Sequence, residues 1–164
     1  MACLKGGDQK GSLKPLSFLT RNHYPVRQPR IGGVACVVSL RRIIETGLPK
    51  PAALFMWAME TNGTLYSAHV PIRPDGSIET GDATRQTEVT LDHLRATLKA
   101  VDATPADVAL VQIYLTSLDH KPAVDAAYRN FFNEPYPVRA CVAVSALPTP
   151  GTMIEMVVTA VLPR

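Results

Sequence analysis

Pro135-Tyr-Pro-Val-Arg-Ala-Cys-Val-Ala-Val-Ser-Ala-Leu-Pro148, with Met153-Ile-Glu-Met156 a few residues on, sets one arginine and one carboxylate inside two apolar, alternating runs. A charge buried in such a setting without a partner is strongly destabilising, so each needs a purpose or a counter-ion. In the first run Val138, Ala140, Val142 and Val144 fall on one side of a period-two strand, and Arg139, Cys141, Ala143 and Ser145 on the other. Glu155 belongs to a second strand, residues 153–162, which the turn Pro148-Thr-Pro-Gly-Thr152 is expected to fold back beside the first. That arrangement gathers guanidinium, thiol and carboxylate in one pocket, or it pairs Arg139 with Glu155 as a structural ion pair. Spacing leaves both readings open.

Working outward, the 164 residues fit one domain with a sizeable core. Hydrophobic residues at 46% and charged residues at 19% describe an ordinary globular chain, and no apolar run is long enough to cross a bilayer. Charge is uneven. Residues 1–38 hold Lys5, Lys10, Lys14, Arg21, Arg27 and Arg30 against Asp8, a net +5, which leaves −2 for residues 39–164. The head is expected to be a basic extension, with an organelle transit segment or an arm for an acidic partner as alternatives. Within it, residues 31–40 are apolar but start too late for a secretory signal and read as an added strand or packed segment. Cys3, Cys36 and Cys141 give neither a disulfide framework nor a zinc pattern, which points to a reducing, cytoplasmic setting, or to an organelle if the head is a transit segment.

The remaining elements follow from pattern and punctuation. Residues 41–46 make a short β-like run. Residues 52–60 and 64–70 flank Asn62-Gly63, a type I′ hairpin signal, and Pro71 to Gly81 is a loop. Val89, Leu91, Leu94, Leu98 and Val101 recur at helical spacing over residues 82–102, with Asp82 as N-cap. Thr104-Pro-Ala-Asp107 is a capped turn, residues 108–118 a strand, and residues 122–133 a helix packing through Val124, Tyr128, Phe131 and Phe132. The order β-β-β-α-β-α-β-β with a final hairpin predicts an α+β sheet covered by helices on one face. Met56, Ala58, Ala143 and Met156 are expected to make the uncovered face apolar, and an oligomer to bury it.

The pattern Pro-x-Arg-x-Cys-Val-x-Val-x-x-Leu-Pro, then an apolar-flanked glutamate and the late Ala160, resembles the C-terminal signature of the RidA family, also called YjgF/YER057c/UK114. Residues 51–59, Asn62-Gly63, Pro71, Asp75-Gly76, Ile78, Asp82, Gln86-Thr87, Leu94, residues 114–116, Ala123-Val124, Tyr128 and Phe131-Phe132 agree in order and rough spacing. The resemblance spans about residues 41–163. It implies a chorismate-mutase-like α+β fold, a homotrimer with a cleft at each subunit junction, and a fold shared among several functions.

For the site, the resemblance implies that Arg139 clamps the carboxylate of a 2-imino or 2-enamino acid through its planar fork, and that Glu155 orients or deprotonates the attacking water. Cys141 lines the pocket as a binding residue, since no histidine is placed to activate it. Phe55, standing where the family has a tyrosine, joins Ser67, Ala68 and Asp125 in the expected lining. Ala68 stands for a glycine, Asp125 for an asparagine and Trp57 for a smaller polar residue, and Glu155 lies one residue further along than the commonest spacing. The substrate therefore need not be the small 2-aminoacrylate. The four histidines, 23, 69, 93 and 120, lack metal-ligand spacing, His69 being placed beside the cleft or facing solvent, and no phosphate loop or nucleotide fingerprint occurs. No cofactor and no metal are implied.

Two functions are carried forward. One is hydrolysis of reactive 2-imino acids to 2-keto acids and ammonia; the other is a non-catalytic trimer that binds small carboxylates or regulates through the same cleft. A third label attached to the family, endoribonuclease or translation inhibitor, is opposed by the acidic core and the lack of paired histidines or a basic, aromatic surface, so no nucleic-acid or membrane partner is expected.

Overall fold

The computed structural model describes residues 41–163. The basic head, the apolar run 31–40, Cys3 and Cys36 lie outside the described residues. Six strands and two helices follow in the order β1 (Arg42–Ile43), β2 (Ala58–Thr61), β3 (Thr64–His69), α1 (Ala83–Lys99), β4 (Val108–Leu115), α2 (Lys121–Phe131), β5 (Val138–Ala143) and β6 (Ile154–Val161), with 3₁₀ turns at Pro105–Asp107 and Leu118–His120.

Local chemistry sets most boundaries. The β2–β3 turn places Asn62 and Gly63 at φ 54° and 73°, the positive values a type I′ hairpin needs. Asp82 caps α1 by accepting from the Arg85 backbone N–H at 2.9 Å. Thr104 and Asp107 close the turn before β4 as a capping box. The expected strand over 52–60 is shorter, beginning at Ala58. Residues 52–56 are exposed and Phe55 N–H turns back to the Ala53 carbonyl, so this segment lines cavities instead of joining the ladder.

The strand order is β1-β2-β3-β6-β4-β5, and only the β4–β5 pair is parallel. A parallel pair needs a crossover, which α2 supplies between β4 and β5. β6 is therefore not the partner of β5. It lies between β3 and β4, antiparallel to both, where its alternation of buried Ile154, Met156, Val158 and Ala160 with half-buried Glu155, Val157 and Thr159 suits a central strand. The expected β5–β6 hairpin fails because the last strand finds two partners in the middle of the sheet and none at its edge.

Both helices pack on one face. Leu91, Leu94 and Leu98 of α1 and Val124, Tyr128 and Phe131 of α2 close over Leu65, Val111, Ile113, Leu115, Met156 and Val158. Each such side chain contributes about 1.5–3 kcal/mol by leaving water. Ala58 and Met156 belong to this core, at 1% and 0% exposure, and Ala143 shares the side of Leu115, so none of these three serves the open face as expected. The open face instead presents Met59, Tyr66, Leu110, Val138, Val142 and Val157. Tyr66 at 49% exposure and Val138 at 71% leave it apolar and uncovered.

Candidate functional site

The register assigns a side to every expected site residue. Arg139 and Cys141 sit opposite Val111 and Ile113, which are core residues, so both face the helix side at the edge strand β5. Glu155 sits opposite Tyr114 and between buried Ile154 and Met156, so it faces the open side. Within one chain the guanidinium and the carboxylate are on opposite faces, with β4 and part of β6 between them. The expected shared pocket is therefore not formed within the chain, and the alternative ion pair between Arg139 and Glu155 is absent. A period-two argument places residues on faces within a strand, but it relates two strands only if their pairing is known.

Arg139 finds other partners. Its Nη2 donates to Asp125 Oδ1 at 2.5 Å, and its guanidinium carbon lies 4.8 Å from the centre of the Tyr128 ring. Lys121 Nζ donates to Asp125 Oδ2 at 2.5 Å, one turn earlier on α2. Asp125 thus holds two cations. Burial would raise its pKa, but the hydrogen bonds and charges of Lys121 and Arg139 prevail and hold the carboxyl below the usual carboxylate range. The Nη2 bond to Asp125 is the one side-chain hydrogen bond Arg139 makes among the described residues, which leaves its Nε and Nη1 N–H groups for a further acceptor. Tyr136, Pro137 and Arg129 complete the surface of this recess, of about 340 Å³. Cys141 is a half-buried free thiol packed against the core.

Glu155 occupies a different setting. It lines a cavity of about 600 Å³ together with Phe55, Trp57, Ala68, Ile78 and Leu147. Desolvation raises its carboxyl pKa above the ordinary 4.5, and it has no ion-pair partner among the described residues. Phe55 meets Trp57 edge-to-face, with centroids 4.9 Å apart. Trp57, standing where the family has a smaller polar residue, is covered by its own chain: its Nε1–H donates to the Pro49 carbonyl at 2.7 Å. Ala68 sits opposite Val157 on the open face and borders both this cavity and a neighbouring one of about 670 Å³. Ser67 borders the second cavity, but its hydroxyl is turned to the helix side, 2.9 Å from His69 Nε2. His69 is fully buried, facing neither cleft nor solvent, and burial, reinforced by His93, lowers its pKa to about 3.

One positioning residue escaped the sequence reading except as a weak match. Gln86, fully buried on α1, donates from Nε2 to the carbonyls of Glu79 and Gly151, both at 2.8 Å, and accepts from the Met153 N–H at 2.7 Å. It therefore fixes the entry into β6 two residues before Glu155. A buried polar residue on the apolar face of a helix was the available signal.

With this geometry in hand, comparison with known proteins gives a consistent result. Residues 46–162 match the family model described as Endoribonuclease L-PSP. Protein HMF1 of Saccharomyces cerevisiae is 31% identical over 121 residues, covering 73% of this chain and 93% of that protein. A Dermatophagoides farinae protein named 2-iminobutanoate/2-iminopropanoate deaminase is 28% identical over 115 residues, covering 68% and 89%. The crystal structure of YyfA, a Rid-family protein from Yersinia pestis, superposes with TM-score 0.70 at 29% identity, covering 74% of this chain and 99% of that one. The match takes in Arg139, Glu155 and every strand from β2 to β6, and the chain belongs to the Endoribonuclease L-PSP family, also known as YjgF/RidA.

Proposed function

We propose that this protein is an enamine/imine deaminase that hydrolyses reactive 2-imino acids to 2-keto acids and ammonia, with each site completed between two copies of the chain. The observation that carries this reading is Glu155: a half-buried carboxylate without a counter-ion among the described residues, its pKa raised above the ordinary 4.5 by desolvation, at the wall of a largely apolar cavity. A carboxylate so placed is more basic than an exposed one and suits the activation of water.

Arg139 supplies the anchor. Its guanidinium is held by Asp125 and against the Tyr128 ring, and its remaining N–H groups suit a substrate carboxylate. Water held by Glu155 adds its oxygen to the imine carbon while one of its protons passes through the carboxylate to the nitrogen, giving a carbinolamine. The same carboxylate then carries the hydroxyl proton to the amino group, the C–N bond breaks, ammonia leaves and the carbonyl forms; no oxidant or reductant enters. Phe55, Ala68, Cys141 and the backbone at Ser67 line the path in this reading, and Asp125 acts by orienting Arg139.

Because Arg139 and Glu155 face opposite sides of one sheet, the reaction requires the Arg139 edge of a second copy to approach the Glu155 cavity of the first. The exposed apolar face provides the driving force for association, and a closed trimer gives every such junction the same environment. Light scattering at micromolar concentration checks this: a trimeric mass is expected, and a monomer contradicts it.

A Glu155→Gln variant tests the chemical role. Ammonia release should fall roughly 10²–10⁴-fold while affinity for a 2-keto acid product is kept. Retained turnover contradicts a base at this position and favours the non-catalytic binding reading. Among the described residues no helix is long and apolar enough to cross a membrane.

A further inference from the structure

We propose that the 2-imino acid taken by this site carries a bulky apolar side chain, aromatic or branched aliphatic, housed in the cavity beside Glu155. The inference rests on the deaminase reading and specifies its substrate class. Size is the first argument. The cavity measures about 600 Å³, whereas an apolar cavity of about 150 Å³ already takes up benzene. A methyl side chain would leave most of this space as water against hydrocarbon, and a phenyl or isobutyl group would displace that water.

The walls make the second argument. Phe55, Met56, Trp57, Val70, Ile78 and Leu147 contribute carbon surface from three separate segments of the chain. Trp57 has its only polar atom tied to the Pro49 carbonyl at 2.7 Å, so what it offers the cavity is ring. Phe55 stands at 90° to that ring, forming an aromatic corner that a third ring can enter in edge or offset contact. Met56, 52% exposed, is unbranched and can follow side chains of different outline.

Charge makes the third. Among the described residues of one chain Glu155 is the only ionisable side chain on the cavity wall, and the Arg139 that approaches from a second copy is taken by the substrate's own carboxylate. An acidic substrate side chain would meet a like charge there. A basic one would lose its hydration for a single carboxylate whose task is to hold water, so both classes are selected against.

The test uses the intact chain and 2-imino acids generated in situ by an amino-acid oxidase, with dioxygen as oxidant, from phenylalanine, leucine, alanine and glutamate. The readout is the second-order constant for keto-acid formation, measured in competition with semicarbazide. The phenylalanine- and leucine-derived imines should exceed the alanine-derived one by roughly tenfold or more, with the glutamate-derived imine slowest. Ala52→Phe fills the cavity from an exposed loop position and should lower the phenylalanine-to-alanine ratio by about fivefold or more, with a native thermal transition. Equal constants, a preference for the alanine-derived imine, or an unchanged ratio in Ala52→Phe overturns the inference and leaves the deaminase reading standing. Failure to accelerate hydrolysis of any of the four overturns both.

Discussion

Asp125 and Glu155 are both partly sheltered carboxylates, yet their surroundings drive them in opposite directions. Asp125, on the helix side at the β5 edge, is held ionised by Lys121 and Arg139. Glu155, on the open side of β6, has no cation paired with it among the described residues, and desolvation raises its pKa. One region holds a fixed charge and orients an arginine; the other, in the deaminase reading proposed above, exchanges a proton. In that reading binding and proton transfer are divided between groups tuned apart, on the two faces of the sheet.

After Glu155→Gln, the largest effect should come from the binding half. Arg139→Lys keeps the charge and the pairing with Asp125 but loses the rigid fork, so kcat/KM should fall roughly ten- to a thousandfold, about 1.4–4 kcal/mol, with the fold intact. Steady-state kinetics beside a melting curve separates this from a structural role, which would lower the melting temperature and spare activity. Next is the support of the catalytic half. Gln86→Leu strands the carbonyls of Glu79 and Gly151 and the Met153 N–H, and should cost about 1–3 kcal/mol of stability. It should also lower kcat roughly tenfold through misplacement of Glu155. A kcat loss without a KM change in refolded, soluble variant is the expected pattern, and wild-type kcat would show that Glu155 is positioned without it.

The smallest effects concern pH. In the deaminase reading Glu155 acts only when ionised, so the acid limb of kcat should lie above the ordinary carboxylate value of 4.5. Its raised folded-state pKa contributes stability that is present below 4.5 and lost as pH rises through the folded value. Asp125 does the reverse: its lowered pKa contributes stability above the ordinary 3.8 that is lost as pH falls through the folded value. Calorimetry should therefore show Glu155→Gln gaining on the wild type as pH rises toward neutrality, and Asp125→Asn losing ground over the same range.

Much of the fold was legible because its signals are local. Asn62-Gly63, the Asp82 cap and the spacing of Leu91, Leu94 and Leu98 each specify structure within a few residues, and each element formed where those residues placed it. Strand order was not legible. Nothing in residues 138–162 distinguishes a hairpin from a strand inserted between β3 and β4, because both bury the same alternate side chains. That error carried into the site, where Arg139 and Glu155 were expected to face each other. The partner of Arg139 was hidden for a related reason: Asp125 reaches it across the β4–α2–β5 crossover, a contact that sequence spacing does not encode. Ser67 and His69 show the same limit at smaller scale, since their side chains were assigned without knowing which face of β3 the helices cover.

The central claim, that binding and proton transfer belong to opposite faces and meet only between copies, is tested most directly by mixing two defective chains. Arg139→Lys and Glu155→Gln are each expected to be nearly inactive alone. Co-expressed in equal amounts with different tags and purified as mixed trimers, they should regain roughly a third of wild-type activity, because each mixed trimer joins an intact Arg139 edge to an intact Glu155 cavity at one of its three junctions. Activity no higher than that of either variant alone would place both residues in a site within one chain and contradict the account.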